Sequence, residues 1–482
     1  MKKLIIIIST LIIAMTVSFI GTTMSYSTNI IGQIVFFITL LPPLTYLIVS
    51  ISKRSINLLD PFFLYPLCYF LFFGVGKLLA SDVSDQAART ADLCIILGVF
   101  GYLYAFMFFK VVRKSNQGDM ANKTIYFENS LFFEKIVFLI GTLAFGLYIL
   151  RIGSIPLFMG NLEQSRVDAS ISGGAELRVL TYLLIISSIV GFYNYFFLKF
   201  NGITPQKSSL WIYIFGIIFL LLLSNRSPVF TIILSTFLIF VYLKFQGKIR
   251  TKNFILLGTV VLLTVVVFVG GIGAYRVVNT ELFYRFPEYK SYLIDKDYIG
   301  LSLFIFGHYL GIGYKNFSDV LQLFPSVIPY EYGQTYLGPV LTVLPGTQYT
   351  LDMQIKEALG QSYLGGGTIP SALGEAYANF GLIGCFIIPF FTFLLLNAVF
   401  ISFKKDPKNP FKIIFYVFFL VYMSYNLLAG YAATSVFPFI SIGVYFCYRV
   451  LLYTPVSFIK KPSSLDKKEK GRWNVHGTSK QI

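Results

Sequence analysis

Four arginines in three separate segments of the chain are the residues best suited to bind an anionic substrate: Arg166, Arg226, and Arg276 with Arg285. Arginine is always charged, and its planar fork binds two phosphate oxygens at once. If these side chains converge in one cavity, they suit a pyrophosphate group. Arg226 is the most informative of them, because it stands in a short turn between two apolar stretches, where a charge is costly without a partner. The alternative is that the arginines are interface anchors whose charged heads reach the lipid headgroups.

Two further side chains could take a proton from a reacting hydroxyl, His308 and Glu375. His308 is the only histidine outside the C-terminal tail, and a neutral imidazole is a suitable base near pH 7. Glu375 lies between Gly374 and Ala376, where small neighbours leave room for a ligand. Each has a simpler interpretation: a hydrogen-bonded histidine at the membrane interface, and a carboxylate that only stabilises a helix N-terminus. If neither is the base, Asp168 and Glu163 are the next candidates.

Metal and cofactor chemistry have no sequence signature here. The four cysteines, Cys68, Cys94, Cys385 and Cys447, are scattered through apolar stretches at spacings that suit neither a metal nor a disulfide framework. The chain has no nucleotide-binding phosphate loop, no dinucleotide fingerprint and no HExxH motif. We therefore expect no metal and no cofactor, and the sequence disfavours transport driven by ATP.

The elements that must position these residues are transmembrane helices. The composition, with 56% apolar residues and 13% charged residues, is typical of an integral membrane protein. A helix needs about 20 apolar residues to cross the hydrocarbon core. About twelve stretches approach that length, and the chain is predicted to be an all-α polytopic membrane protein with spans at 4–20, 31–50, 61–79, 91–109, 136–150, 180–198, 212–223, 229–243, 254–274, 376–403, 413–428 and 436–452.

The charges of the loops between these stretches alternate along the chain. One set of loops, together with both termini, holds 27 of the 39 lysines and arginines and 7 of the 22 acidic residues, a net charge of +20. The other set has a net charge of −3, which accounts for the total of +17. Because Lys and Arg remain cytoplasmic during insertion, both termini are predicted to be cytoplasmic. The four arginines, His308 and Glu375 then belong to the outer side of the membrane.

The spacing of the spans predicts four regions. Residues 1–274 form a nine-span bundle, 275–370 a large outer loop, 371–455 a three-span bundle, and 456–482 a basic, disordered cytoplasmic tail. Long loops without a connecting role usually carry function. The loop is rich in Tyr, Phe, Leu and Gly, and its residues 298–317 are predicted to form a helix that lies on or dips into the outer interface.

Part of this pattern resembles a known family. The run 365–367, GGG, followed by the segment 374–384, GEAYANFGLIG, is similar to the late segment of bacterial oligosaccharide repeat-unit polymerases, the Wzy-type O-antigen and capsule polymerases. The turn 225–228, NRSP, and the large loop that follows resemble that family too. The resemblance implies a glycosyltransferase C-like fold and a substrate carried on undecaprenyl pyrophosphate, with no nucleotide donor. It does not identify the catalytic residues.

The resulting hypothesis is a polymerase of surface polysaccharide. Arg166, Arg226, Arg276 and Arg285 bind the donor pyrophosphate, and Glu375 or His308 deprotonates the attacking sugar hydroxyl. The implied partners are lipid-linked oligosaccharides, membrane lipids, a chain-length regulator and a flippase, with no nucleic acid. The alternatives are a flippase or exporter of lipid-linked oligosaccharides, a ligase-like transferase and a membrane scaffold. A flippase should show related halves and polar groups within the spans, and the sequence shows little of either.

Overall fold

The computed structural model describes residues 30–52, 57–80, 83–112, 127–158, 175–223, 226–245, 270–278, 292, 294–341, 350–361, 367–431 and 437–454. Every long element in these ranges is an α-helix, and they contain no β-strand. The helices are α1 Ile30–Ser52, α2 Pro61–Leu79, α3 Asp85–Val112, α4 Phe127–Ile152, α5 Ala175–Thr181, α6 Leu183–Phe200, α7 Lys207–Leu222, α8 Arg226–Phe245, α9 Ile272–Val278, α10 Tyr298–Leu323, α11 Gln334–Leu341, α12 Leu351–Ala358, α13 Ala372–Lys405, α14 Pro410–Ala429 and α15 Phe437–Tyr453.

The protein is a polytopic membrane protein. Within the described ranges, eight helices are long and apolar enough to cross a bilayer, in α1, α2, α3, α4, α5 with α6, α8, α13 and α14. Two more apolar helices, α7 and the part of α15 from Ser441 to Tyr453, are shorter. Ten of the predicted stretches coincide with these helices. The stretch 4–20, most of 254–274 and the tail 456–482 lie outside the described residues.

Hydrogen bonds between neighbouring chain segments identify one end of the bundle, and the opposite end follows from the helix directions. At one end, the Tyr242 hydroxyl donates to Pro407 O at 2.7 Å, and the Asn129 amide donates to Leu451 O at 2.7 Å. We call this the basic end, because Lys404 and Lys405 finish α13 there. The opposite end, where α2 and α14 finish and α13 begins, is called the loop end. It carries α10, α11 and α12.

Helix α10 covers the stretch 298–317 that was predicted to be helical, and it continues to Leu323. Its first turns do have exposed apolar side chains such as Ile299 and Leu303. Its second half is instead buried in the bundle, with Tyr314, Phe317 and Val320 almost inaccessible. The packing reason is backbone proximity, since a side chain at Gly76 of α2 would collide with Leu310 O. The helix therefore runs from a more exposed first half into the protein core.

A buried ion pair joins α10 to the spans. The Lys77 ammonium of α2 donates to both oxygens of Asp92 on α3, at 2.6 and 2.7 Å. The hydroxyl of Tyr314 on α10 donates to the same carboxylate at 3.4 Å. The Asp92 side chain is about 1% exposed. The pair therefore ties three helices together at the loop end.

A second buried carboxylate lies near the basic end. Helix α4 begins nine residues before the predicted stretch 136–150, so Glu134 falls inside the helix and not in a loop. Its carboxylate accepts hydrogen bonds from Ser209 Oγ at 2.5 Å and from Asn194 Nδ2 at 2.7 Å. Ser130 extends this network to the Tyr448 hydroxyl at 2.8 Å. The network connects α4, α6, α7 and α15 through polar groups whose burial the hydropathy pattern did not predict.

Candidate functional site

The candidate site is built on the first turns of α13. Ser371 precedes the helix and caps it, with its Oγ accepting from Gly374 N at 3.1 Å. Small residues follow, and Phe317 and Val320 of α10 pack beside Gly374, where an added Cβ would lie 3.4 Å from each of them. Ser371 has φ 64° and ψ 164°. This region suits glycine, and another residue there costs about 1–3 kcal/mol. The backbone at the start of α13 is therefore strained.

Helix α13 is broken at Gly381, where φ is 60° and ψ is −147°. Residues other than glycine avoid this conformation, because their Cβ atom would be strained there. The break frees carbonyl groups of the preceding turn, and one of them, Ala378 O, accepts from Glu331 N at 3.0 Å. Irregular backbone at membrane depth requires such protein partners. The break therefore creates a place where a loop segment can bond to the interior of a helix.

Glu375 lies one turn into α13 and is fully buried. Its Oε2 accepts from the backbone N–H of Tyr431 at 2.5 Å, and its Oε1 lies 3.5 Å from Thr335 Oγ1. The helix N-terminus adds a favourable field for a negative charge. These contacts hold the carboxylate at a fixed point between α11, α13 and the end of α14.

Asn379 lies on the same face of α13, four residues after Glu375, and is also fully buried. Its Oδ1 accepts from Gly333 N at 2.8 Å. Its Nδ2 donates to Thr335 Oγ1 at 2.6 Å and to Glu375 O at 2.7 Å. A carboxylate and a carboxamide one turn apart present donors and acceptors in a row, which is the pattern needed to bind neighbouring hydroxyl groups.

Tyrosines form the wall around this pair. The Tyr336 ring stacks on Phe380 with ring centroids 6.4 Å apart, and the Tyr431 hydroxyl lies 3.1 Å from that of Tyr65. Burial raises the pKa of the Tyr336 phenol, and the nearby Glu375 carboxylate raises it further. Among the described residues, the Tyr336 hydroxyl has no hydrogen-bond partner. It is therefore a buried donor that none of the described residues uses.

His308 lies on α10, away from the part of that helix that packs beside the start of α13. Its ring is partly buried and stacks on Phe304, with centroids 6.4 Å apart. It precedes Phe317, the residue that contacts Gly374, by nine residues, or about 14 Å along the helix axis. The structure therefore brings the large loop onto the start of α13 through Phe317 and leaves His308 further along α10.

The four predicted arginines are only partly placed. Arg226 begins α8, and Arg276 lies in α9. Their side chains, and the whole of Arg166 and Arg285, lie outside the described residues, as do Glu163 and Asp168. Helix α9 packs against the start of α10 through Ala274 and Val277. Their convergence on a pyrophosphate stays a prediction.

Sequence reasoning missed several residues of the site. Asn379 could have been found, because a spacing of four places it on the helix face of Glu375. Thr335 gave no such signal, because nothing in the sequence distinguishes it from other threonines. Tyr431 gave none either, because it binds Glu375 through its backbone N–H. Within the described residues, no group of three or more His, Cys, Asp or Glu side chains is placed to hold a metal ion.

Comparisons of the chain with protein-family models, with curated proteins and with solved structures find no match.

Proposed function

We propose that this protein is a membrane glycosyltransferase that polymerises undecaprenyl-pyrophosphate-linked oligosaccharide repeat units into a surface polysaccharide. It would have twelve spans in a glycosyltransferase C-like arrangement, with both termini in the cytoplasm and the loop end on the outer face of the bacterial cytoplasmic membrane. The observation that carries the proposal is the buried pair Glu375 and Asn379 beside the break in α13. A carboxylate, an amide and tyrosine hydroxyls suit a sugar substrate.

The chemistry requires one proton transfer and one bond exchange. Glu375 takes the proton from an acceptor sugar hydroxyl as that oxygen attacks the anomeric carbon of the donor. The bond from the anomeric carbon to the pyrophosphate oxygen breaks, and undecaprenyl pyrophosphate leaves as an anion. The outer arginines Arg166, Arg226, Arg276 and Arg285 offset the charge that develops on it. Glu375 then releases its proton to solvent, so no metal or nucleotide is consumed.

The test is polymerisation of purified lipid-linked repeat units by the protein in detergent. Glu375→Gln should lower turnover by roughly 10²- to 10⁴-fold, the usual contribution of a general base, while donor binding persists. The matched control is Glu176→Gln, the same substitution at an exposed carboxylate that pairs with Arg151. Equal turnover by Glu375→Gln and the wild type would remove Glu375 from the mechanism. His308→Gln, assayed alongside, tests the other predicted base.

A flippase or exporter of the same lipid-linked substrate is the second candidate. It is favoured by the charged groups buried inside the helices, the Lys77–Asp92 pair and Glu134, because ionisable residues within spans often mark a transport path. Reconstituted vesicles separate the two functions. A flippase moves the lipid-linked sugar across the bilayer without forming a bond, whereas a polymerase lengthens the glycan on one side. A ligase-like transferase would instead need a different acceptor.

A further inference from the structure

Residues 331–336, which we call the strap, cross over Glu375 and Asn379. Two backbone N–H groups of the strap donate to α13, from Glu331 to Ala378 O at 3.0 Å and from Gly333 to Asn379 Oδ1 at 2.8 Å. Thr335 adds a side-chain bond from Asn379 Nδ2 at 2.6 Å. In this conformation both Glu375 and Asn379 are fully buried. No external hydroxyl can reach the carboxylate until the strap moves.

The strap is held under strain. Tyr332 has φ 46°, in the left-handed region that non-glycine residues avoid, and its side chain is 76% exposed. Packing of that side chain therefore does little to enforce the conformation. The bonds to Asn379 and Ala378 hold the strap in place, and these are the bonds that a polar ligand could replace.

The strap satisfies Asn379 in the way that a sugar would. It supplies one donor, Gly333 N–H, and one acceptor, Thr335 Oγ1. Two neighbouring hydroxyls of a pyranose supply the same combination. Exchanging one set of hydrogen bonds for another changes the free energy little. The Tyr336 hydroxyl, which has no partner in the part of the chain that the structure describes, adds a further donor near Glu375.

We propose that the strap occupies the subsite of the acceptor sugar, and that Asn379 binds a hydroxyl next to the attacking one after the strap lifts. This inference rests on the proposed function, because it names the acceptor subsite of that reaction. Asn379 is then a positioning residue for the acceptor, and the strap is an internal competitor of the substrate. The arrangement keeps Glu375 covered when no acceptor sugar is bound.

Hydrogen–deuterium exchange provides the first test. The probe is the lipid-linked repeat unit extracted from producing cells and added to the full-length protein in detergent. Ligands normally slow the exchange of amides that they contact. Here the amides of Glu331 and Gly333 should exchange faster on addition of the probe, because the strap is displaced. Unchanged or slower exchange of these two amides would overturn the proposal. The measurement needs no turnover, so it can succeed even if the protein binds the lipid-linked sugar without polymerising it.

Two substitutions on opposite sides of the same hydrogen bond provide the second test. Thr335→Val removes a bond that closes the strap, so the half-saturating acceptor concentration should fall roughly three- to tenfold, the equivalent of one hydrogen bond. Asn379→Ala removes the same bond and also an acceptor contact, so that concentration should rise. A purely structural role predicts the same direction for both variants, and that outcome would refute the subsite.

The control for these variants is Ser326→Ala, which removes an exposed hydroxyl in the turn after α10 that donates to Gln322 O at 2.6 Å. It should leave the acceptor dependence at the wild-type value. If Asn379→Ala fails to accumulate, Thr335→Val and the exchange experiment still decide the matter. No effect of Thr335→Val on acceptor binding would count against the strap as competitor.

Discussion

Single residues of α13 explain how a carboxylate is accommodated in the protein interior. Glu375 accepts a hydrogen bond from the backbone N–H of Tyr431 and lies in the first turn of the helix, whose N-terminus favours negative charge. Ser371 and Gly381, one on each side of the helical turns that carry Glu375 and Asn379, have backbone conformations that a regular helix does not contain. Strained backbone is commonly found at functional sites, where surrounding contacts maintain it.

Gly381→Ala tests the break at the scale of one residue. At φ 60° and ψ −147° an added Cβ is strained, and it would also meet the Tyr330 hydroxyl at 3.2 Å. We expect a loss of about 1–3 kcal/mol in stability and a loss of activity. The matched control is Gly146→Ala in α4, where no heavy atom lies within 4 Å of the new Cβ. In an ordinary helix that change should stabilise by about 0.5–1 kcal/mol. Thermal unfolding in detergent measures both, and equal stability of the two variants would contradict the interpretation.

The sequence predicted Glu375 but not the partners that define its site. A carboxylate among small residues before an apolar stretch can be recognised from the sequence. The strap cannot, because its contacts with α13 are made mainly by backbone N–H groups, which every residue except proline possesses. Asp92 was missed for a different reason, since a single charge hardly lowers the mean hydropathy of a stretch and its partner Lys77 lies on another helix.

At the scale of elements, α10 is the connection between the large loop and the membrane bundle. Its close packing on α2 depends on Gly76, and its Tyr314 hydroxyl reaches the Lys77–Asp92 pair. Phe317 of the same helix contacts the start of α13 at Gly374. The position of Glu375 therefore depends on a helix that hydropathy alone would assign to the surface.

Breaking the Lys77–Asp92 pair should loosen this connection. Lys77→Met or Asp92→Leu alone leaves a buried charge without its partner, which typically costs about 3–5 kcal/mol. The double variant should recover much of that loss, because both charges are then gone. The control is Lys315→Met, at the Lys315–Asp319 pair of α10, which has a spacing of four and a more exposed lysine. We expect that change to cost under about 1 kcal/mol. Unfolding temperatures provide the comparison, and additive losses in the double variant would show that the pair is not coupled.

Helix α12 carries a carboxylate whose titration should affect stability. Burial raises the pKa of Asp352, and hydrogen bonds from Thr350 and nearby backbone N–H groups only partly oppose this shift. Because the folded pKa lies above the unfolded one, folding favours the protonated acid. This contribution is fully present below the unfolded pKa and is lost as the pH rises through the folded pKa. Asp352→Asn should reduce this part of the pH dependence. Amide exchange of α12 measured across the acidic range reports it, and an identical profile in the variant would exclude Asp352 as the cause.

At the scale of the whole molecule, the hydropathy pattern predicted the helices well and their ends less well. The apolar core of a span is long enough to be visible in the sequence, whereas the polar turns that extend it are not. Glu134 shows the consequence: α4 begins at Phe127, so a residue assigned to a loop is fully buried among four helices. Charges near helix ends are therefore hard to assign from sequence, because the same residue can face solvent or a polar network.

The final prediction concerns the orientation of the molecule in the membrane. The structure places the loop carrying Gln206 at the basic end, where Gln206 Oε1 lies 3.4 Å from Lys135 Nζ, and it places Gln334 at the loop end beside Asn379. Because lysine-rich loops stay in the cytoplasm, reporter fusions at Gln206 and at Asn116 should read inside. Fusions at Gln334 and Ser170 should read outside. Asn116 and Ser170 lie outside the described residues, so they test the charge pattern independently of the structure. An outside signal at Gln206 would reverse the molecule and place Glu375 on the cytoplasmic face, where polymerisation on the outer surface could not use it.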